Sequence, residues 1–385
     1  MMSLLIDTVA VLASTISVLV YIKIQLQIRL VPELSTLNTP LIKSFPKISF
    51  IIPACNEEET IRAALLKVLN IDYPTYQVIV VNDRSTDRTG QILDELQRDY
   101  PILEVIHISE LPAGWLGKLH ALQVGTESAS GEYLVYADAD VHFHPQFFKN
   151  TISYAQQLRL DYLSAIPHFE ARSWVLRALI FAFTSLFLAT TRVGSVNRER
   201  EGAFAGIGVF QLIRRSFFEK TLGWRWLKLE IGDDMATALM CHQHGARARF
   251  LRATDQLSLT WYPSVSALLA GLEKNSFPVG MRFSVLRTII ASAVILLFAI
   301  SPLWLISQGE GALGWLFLTL QVTFNVCSPS TGSRWHERIC APYISLLLII
   351  ALCRSAWKTL RQGGIFWRGT FYSTQSLKAG QRLKW

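Results

Sequence analysis

The chain has no Cys-x-x-Cys pair. Its five cysteines, Cys55, Cys241, Cys327, Cys340 and Cys353, are scattered, and Cys327 and Cys353 border or lie within apolar runs. That spacing argues against a structural zinc site and a disulfide framework, and it fits a reducing compartment. No Gly-x-Gly-x-x-Gly follows the first expected strand, which weighs against a dinucleotide-binding domain. No long glycine-rich stretch ending in Lys-Ser/Thr occurs either, so the P-loop pattern is absent. Charge is scarce: 17% of residues are charged against 51% hydrophobic, yet the net charge is +8. Many Lys and Arg flank apolar runs, so a basic face against anionic lipid explains the excess more simply than nucleic-acid binding.

The apolar residues gather at the two ends. Leu4 to Ile22 is a run of about 19 residues, long enough to span a bilayer as a helix. No basic residue precedes it and no clean small-x-small site follows, which weighs against a cleaved signal peptide. Lys23 and Arg29 follow it and place that end in the cytoplasm. We therefore expect an anchor over 1–30 and, with its three prolines, a linker over 31–46. A cytoplasmic α/β domain is expected over 47–285 and transmembrane segments over 286–356, followed by a basic tail over 357–385. Leu176 to Thr190 is short for a span and flanked by arginines; it reads as a helix in the membrane interface. Leu286 to Ile306 reads as a full span, with shorter apolar runs at Leu313–Val326 and Pro342–Cys353. Three full C-terminal spans would put the basic tail outside, against its charge; either one run is re-entrant or the interface helix crosses. The whole reads as a multi-pass protein of a bacterial inner membrane. No span carries the buried charges that mark an ion pathway.

Between the ends the pattern alternates strand and helix. Strands are expected at Lys47–Pro53, Gln77–Val81, Leu103–Ile108 and Tyr133–Ala137. Helices are expected at Thr60–Leu69, Thr89–Tyr100 and Leu119–Ser128. Such alternation implies a doubly wound, mostly parallel sheet. Phe204–Ile213 reads as a further strand with two close-approach glycines, and Gly232-Asp233-Asp234 opens a helix.

The chemistry collects at strand ends, where open α/β sheets bind ligands. Asp138 and Asp140 follow the fourth strand and, two apart, share a face. They would repel unless a divalent cation sat between them and a substrate phosphate. Asn56 and Glu57 end the first strand. Asp83 ends the second and is placed to accept hydrogen bonds from a base or ribose; Asp87 lies in the same turn, where turn chemistry explains most of its neighbours. Lys118 follows Gly117 at a helix start and suits a phosphate. Asp233 and Asp234 are adjacent on a helix, about 100° apart, so only one is expected to face a site.

Five segments, Pro53–Glu57, Val81–Asp87, Gly117–Leu122, Asp138–Asp140 and Gly232–Asp234, stand in the order found in family 2 glycosyltransferases. The chain resembles the membrane-anchored, lipid-directed members, of the ceramide glucosyltransferase type and the bacterial carotenoid- or hopanoid-associated type. The resemblance implies a GT-A fold, a nucleotide-diphosphate sugar donor (expected to be UDP-linked) and Mg2+ or Mn2+. It implies that Asn56, Glu57, Asp83, Lys118 and Asp138 meet the donor and that Asp138 and Asp140 hold the metal. It implies Asp234 as the base that takes the acceptor's proton, with Asp233 as the fallback, and inversion at the sugar. The acceptor would be a lipid hydroxyl. One departure stands out: the Gln-x-x-Arg-Trp of processive members is missing, and the comparable stretch reads Gly271–Phe277, where Lys274 is the one cation. That counts against the alternative of a processive polysaccharide synthase. A non-catalytic nucleotide-sugar-binding scaffold would not need Asp234. Trp367–Tyr372 also resembles an ending of some lipid-directed members.

Overall fold

The computed structural model describes residues 2–328 and 332–384. The chain forms two compact units. One, the sheet unit, comprises 31–168, 195–260 and 366–385; the other, the helical unit, comprises 1–30, 169–194 and 261–365. The stretch 47–285 therefore contributes to both.

The sheet unit is built on β1 (Ile48–Ala54), β2 (Tyr76–Asp83), β3 (Leu103–Ile108) and β4 (Tyr133–Tyr136). After the short β5 (His142–Phe143) come β6 (Tyr162–Ile166), β7 (His168–Phe169), β8 (Gln211–Arg214), β9 (Ala248–Arg252) and β10 (Leu257–Leu259). Seven of these form one sheet in the order β3-β2-β1-β4-β8-β6-β9. All pairs are parallel except those of β8, which runs antiparallel to both β4 and β6. This is the α/β, mostly parallel sheet that the strand–helix alternation implied. Every residue of β1 is buried, as expected of a central strand covered on both faces. Helices Ile61–Val68 and Thr89–Asp99 pack through Ile61, Leu65 and Leu93, each fully buried and each contributing about 1.5–3 kcal/mol.

Register explains why one edge holds the chemistry. Ala54 stands beside Asn82, and Ile51 beside Tyr136. The loops after β1, β2 and β4 therefore leave the sheet at the same edge. Because β8 is antiparallel, with Gln211 beside Tyr136, the residues that precede it also lie there. The expected strand 204–213 begins only at Gln211. The preceding residues leave the ladder where Gly206 packs too tightly for a side chain: a Cβ there would sit 2.4 Å from the Asp234 carbonyl oxygen and 2.5 Å from the Tyr162 hydroxyl. Ser164 secures this loop, its Oγ accepting from the Ile207 N–H (3.1 Å) and donating to the Phe210 carbonyl (2.8 Å).

In the helical unit, Leu5–Ile28 and Val285–Ser307 are long and apolar enough to cross a membrane, with mean hydropathies of 2.1 and 2.6. A pair bent by 44°, Trp335–Ile344 and Leu346–Gln362, makes a third candidate if it counts as one span. Val285, Leu286, Ile289 and Ile290 remain exposed, so the second helix presents an apolar face outward. Polar contacts join its helices: Ser14 Oγ donates to Ser301 Oγ at 2.8 Å, and Trp304 Nε1 donates to Asp7 Oδ1 at 3.2 Å. Helix Trp174–Thr190, expected at the interface, buries Leu176 and Ala178 to Ala182, and its Arg177 pairs with the fully buried Glu337 at 2.6 Å.

The turn before β4 offers a test of the packing. Gly131 donates its N–H to Ser49 Oγ, and a Cβ there would lie 2.6 Å from the Ser49 nitrogen and 2.7 Å from the Ile48 carbonyl carbon. Both obstacles include backbone, which cannot rotate aside. Gly131→Ala should destabilise the sheet unit by about 1–3 kcal/mol, read as a lower melting temperature by circular dichroism. An unchanged midpoint would show that the β1–β4 pairing yields freely.

Candidate active site

The loops after β1 and β2 are zipped together by short polar side chains. Asn56 adopts a left-handed conformation (φ 56°), and its Oδ1 accepts from the Thr86 N–H at 2.8 Å while its own N–H donates to Ser85 Oγ. The Glu57 N–H donates to Thr89 Oγ1 at 2.7 Å, and the Glu58 N–H to Asp87 Oδ2 at 3.2 Å. Asn56 is thus a clamp between loops, and the N-cap position of the next helix falls on Thr60, whose side chain makes no capping hydrogen bond. Asp83 reaches the sheet edge, but its buried carboxylate accepts from the adjacent Arg84 at 2.7 and 3.2 Å. Gly117 packs against that pair so closely that a Cβ would meet Asp83 Oδ2 at 2.2 Å.

Lys118 does not stand free for a phosphate. From the first turn of helix Gly117–Ser128 its ammonium lies 2.9 Å from Asp138 Oδ1 and 2.9 Å from Asp233 Oδ2. It joins the two acidic motifs, which are far apart in sequence. Burial works against its charge, but the two carboxylates outweigh burial and raise its pKa further. Asp234 is at the site as well: its Oδ2 accepts from the Gly208 N–H at 3.2 Å and its Oδ1 from the Met235 N–H at 2.7 Å. A Cβ on Gly208 would lie 3.4 Å from Asp138, 3.5 Å from Lys118 and 3.9 Å from Asp234 Cβ. Both members of the Asp233–Asp234 pair therefore converge here, contrary to the expectation that only one would. Helix periodicity separates them, but Lys118 approaches one while the glycine loop approaches the other.

Two carboxyls hold their protons unusually well. Burial, then the charges of Asp138 and Glu57, pushes Asp140 up to about 7. Burial and Asp233 push Asp234 up to about 6, against the Met235 N–H, Lys118 and the Gly208 N–H. Glu57 is also raised, by burial, against the opposing Arg368 guanidinium 2.9 Å away. Among the described residues no three His, Cys, Asp or Glu side chains converge as a metal cage. Asp138 and Asp140 still fit a hard divalent ion. Mg2+ needs only one or two carboxylates beside substrate phosphates and water, and burial together with the nearby charges of Asp138 and Glu57 raises Asp140, as expected where negative charge is crowded.

Three residues at this edge escaped the sequence reading. Arg84 was hidden in a turn-rich stretch. Arg368 and Tyr372 come from the tail, where β11 (Gly364–Trp367) and β12 (Thr370–Ser373) form a hairpin. Arg368 pairs with Glu57, and Tyr372 accepts from the Gly117 N–H at 3.3 Å. The sequence had signalled this stretch only through the resemblance of Trp367–Tyr372 to an ending of some lipid-directed members and through its Arg-Gly turn between two short aromatic stretches. Lys274, in contrast, belongs to helix Val265–Asn275 of the helical unit.

Residues 49–222, which carry most of this edge, match the family model described as Glycosyl transferase family 2. They form a family 2 glycosyltransferase domain with a GT-A-like sheet. The fold aligns with a mannosyltransferase from Pyrobaculum calidifontis, solved in complex with GDP-Man and Mn2+, at a TM-score of 0.59 over 91% of this chain and 98% of that one, with 16% identity. By sequence the chain is 40% identical over 101 residues to a probable glycosyltransferase, YdaM, of Bacillus subtilis, covering 26% of this chain and 24% of that protein. It is 28% identical to the poly-beta-1,6-N-acetyl-D-glucosamine synthase of Staphylococcus epidermidis, over 51% of this chain and 45% of that one. It is 26% identical to a beta-monoglucosyldiacylglycerol synthase of Nostoc, over 52% of this chain and 42% of that one. The chain thus spans between a quarter and a half of these relatives. They do not single out the ceramide glucosyltransferase type.

The elevated Asp140 gives a direct test of the metal corner. A carboxyl with its pKa near 7 is largely protonated below that pH, and a cation binds only the ionised form. Adding Mn2+ to the lightly buffered protein at pH 6 should release protons, and affinity should climb as pH rises through about 7. Asp140→Asn should remove the proton release. Binding of undiminished, pH-independent strength in that variant would place the ion elsewhere.

Proposed function

We propose that the protein is a membrane-bound, inverting glycosyltransferase that moves a sugar from a nucleoside-diphosphate donor, UDP-linked in our reading, to a lipid hydroxyl. The observation that carries this reading is the cluster in which Lys118 ties Asp138 to Asp233 at 2.9 Å each, with Asp234 beside it in a proton-accepting state near neutral pH. Each residue has a distinct task. Asp138 and Asp140 would hold Mg2+ or Mn2+. That ion, when bound, supplies positive charge to the leaving diphosphate. Lys118 holds Asp138 and Asp233 in place through its two ion pairs. Asp234, aimed by two backbone N–H groups, accepts the proton of the attacking hydroxyl. Its oxygens are held by backbone rather than by mobile side chains, which suits a base that must keep one orientation.

The family domain match, the candidate spans and the diacylglycerol glucosyltransferase relatives support a lipid acceptor. The basic flanks of the apolar helices favour catalysis on the cytoplasmic side. The second reading, a processive polysaccharide synthase, draws on the poly-beta-1,6-N-acetyl-D-glucosamine synthase relatives. The missing Gln-x-x-Arg-Trp counts against it.

The deciding experiment is transfer by the purified full chain in lipid extract, using radiolabelled UDP- and GDP-sugars with and without Mn2+. Label in one discrete lipid band is expected; a ladder or a polymer would move the assignment to the synthase. Asp234→Asn should lower kcat by about 10²–10⁴ while nucleotide binding persists. Because Asp234 must be ionised to act, the wild-type kcat/KM should rise with pH through about 6 and then level. Full turnover in Asp234→Asn would sink its role as base.

A further inference from the structure

The tail hairpin touches three donor-side loops in succession. Arg368 Nη2 donates to Glu57 Oε1 at 2.9 Å, beyond β1. Thr370 Oγ1 accepts from Arg84 Nη1 at 3.2 Å, beyond β2. The Tyr372 hydroxyl accepts from the Gly117 N–H at 3.3 Å, at the start of the helix after β3. The hairpin's turn is Arg368-Gly369, with φ values of 46° and 78°. Two consecutive left-handed residues make a tight two-residue turn, and this one sets a guanidinium at the tip.

The segment after the hairpin is anchored firmly. Glu230, nearly fully buried, accepts from the main-chain N–H groups of Arg382 and Leu383, and Leu383 itself is completely buried. Arg382 also lies over the Trp226 ring at 5.2 Å and donates to the Trp226 carbonyl. The same Glu230 accepts from the Gly232 N–H at 3.1 Å, one residue before Asp233. The tail is thus tied to the start of the Asp233–Asp234 helix on one side and laid across the donor loops on the other.

What gathers beneath the hairpin suits an anion. It comprises the N-terminus of a twelve-residue helix, Arg84 and Arg368. Lys118 is already committed to two carboxylates. Arg84 is held by Asp83 in a paired geometry at 2.7 and 3.2 Å. Arg368 has a single, part-exposed carboxylate partner on a loop, and so is the cation most readily exchanged onto a phosphate.

We propose that the C-terminal hairpin is a component of the donor site: Arg368 leaves Glu57 for the phosphate oxygens of a bound nucleoside diphosphate, with Tyr372 and Thr370 holding the hairpin in place. The inference rests on the donor class proposed above, and its test separates the two.

The full chain in lipid nanodiscs with Mn2+ is titrated with UDP and GDP by calorimetry, and with uridine and guanosine by ligand-observed NMR. Arg368→Ala should weaken the preferred diphosphate by about 10- to 100-fold, the size of a lost charged hydrogen bond, and leave its nucleoside unchanged. Arg368→Lys, which keeps the charge and guards against a folding artefact, should recover part of that loss. Equal diphosphate binding in wild type and Arg368→Ala would make the hairpin a packing element only and overturn the proposal. So would a matching loss for diphosphate and nucleoside. If the wild-type chain binds no diphosphate, the donor class falls and this inference falls with it; binding that persists unaltered in the variant leaves the donor class standing and removes only the hairpin's part.

Discussion

The ammonium of Lys118, 2.9 Å from both Asp138 and Asp233, is the contact on which the site depends. Asp138, Asp140, Asp233 and Asp234 crowd one end of a sheet. Like charges about 4 Å apart at a near-surface dielectric repel by roughly 4 kcal/mol per pair. Such a group cannot stay fully ionised without a cation among its members. Lys118 supplies one from the first turn of its helix and sets the spacing between Asp138 and Asp233. Opposite it, Gly208 lies beside Asp138, Lys118 and Asp234 at once, and a Cβ at that position would stand in van der Waals contact with all three.

The antiparallel strand β8 makes this convergence possible. A parallel strand beside β4 would bring its amino-terminal approach to the far edge of the sheet. Running the other way, β8 brings Gly206–Phe210 to the edge where Asp138 and Asp140 emerge. The Gly208 N–H can then hold Asp234. One reversed strand in an otherwise parallel sheet thus brings a glycine backbone, with the Gly208 N–H as donor, against Asp234.

How much of this was legible follows from the range of the interactions. The four leading strands and the residues at their ends could be read because apolar runs and strand–helix alternation are local patterns. Asp138, Asp140, Lys118, Asp233 and Asp234 were all marked as site residues, and the structure brings them together. Their partners were not readable. Nothing near Lys118 in sequence says that its ammonium meets Asp233, because that contact requires the whole sheet to close. Asp83 looked like a free acceptor, but a left-handed backbone at Arg84 (φ 54°) turns the guanidinium back onto it. The tail read as a basic, aromatic stretch of no assigned role; its contacts with Glu57, Arg84 and Gly117 span more than 250 residues. The strand expected over 204–213 was placed too early because alternation cannot show that Gly206 faces the Asp234 backbone.

The pairing of charges also explains why two chemically similar aspartates differ. Lys118 serves Asp138 and Asp233, Arg84 serves Asp83, and Arg368 serves Glu57. Asp140 and Asp234 are the two site carboxyls whose pKa is driven highest, and they are held differently. Asp234 receives two backbone N–H groups that favour its ionised form, and it rests near 6. For Asp140 the neighbouring charges of Asp138 and Glu57 add to burial, and it rests near 7. A backbone donor lowers a carboxyl's pKa without occupying all of its lone pairs, so Asp234 stays able to accept a further proton. Crowded negative charge, in contrast, is relieved most fully by a multivalent cation. These different environments are what the proposed mechanism draws on when it gives proton transfer to Asp234 and cation binding to Asp140.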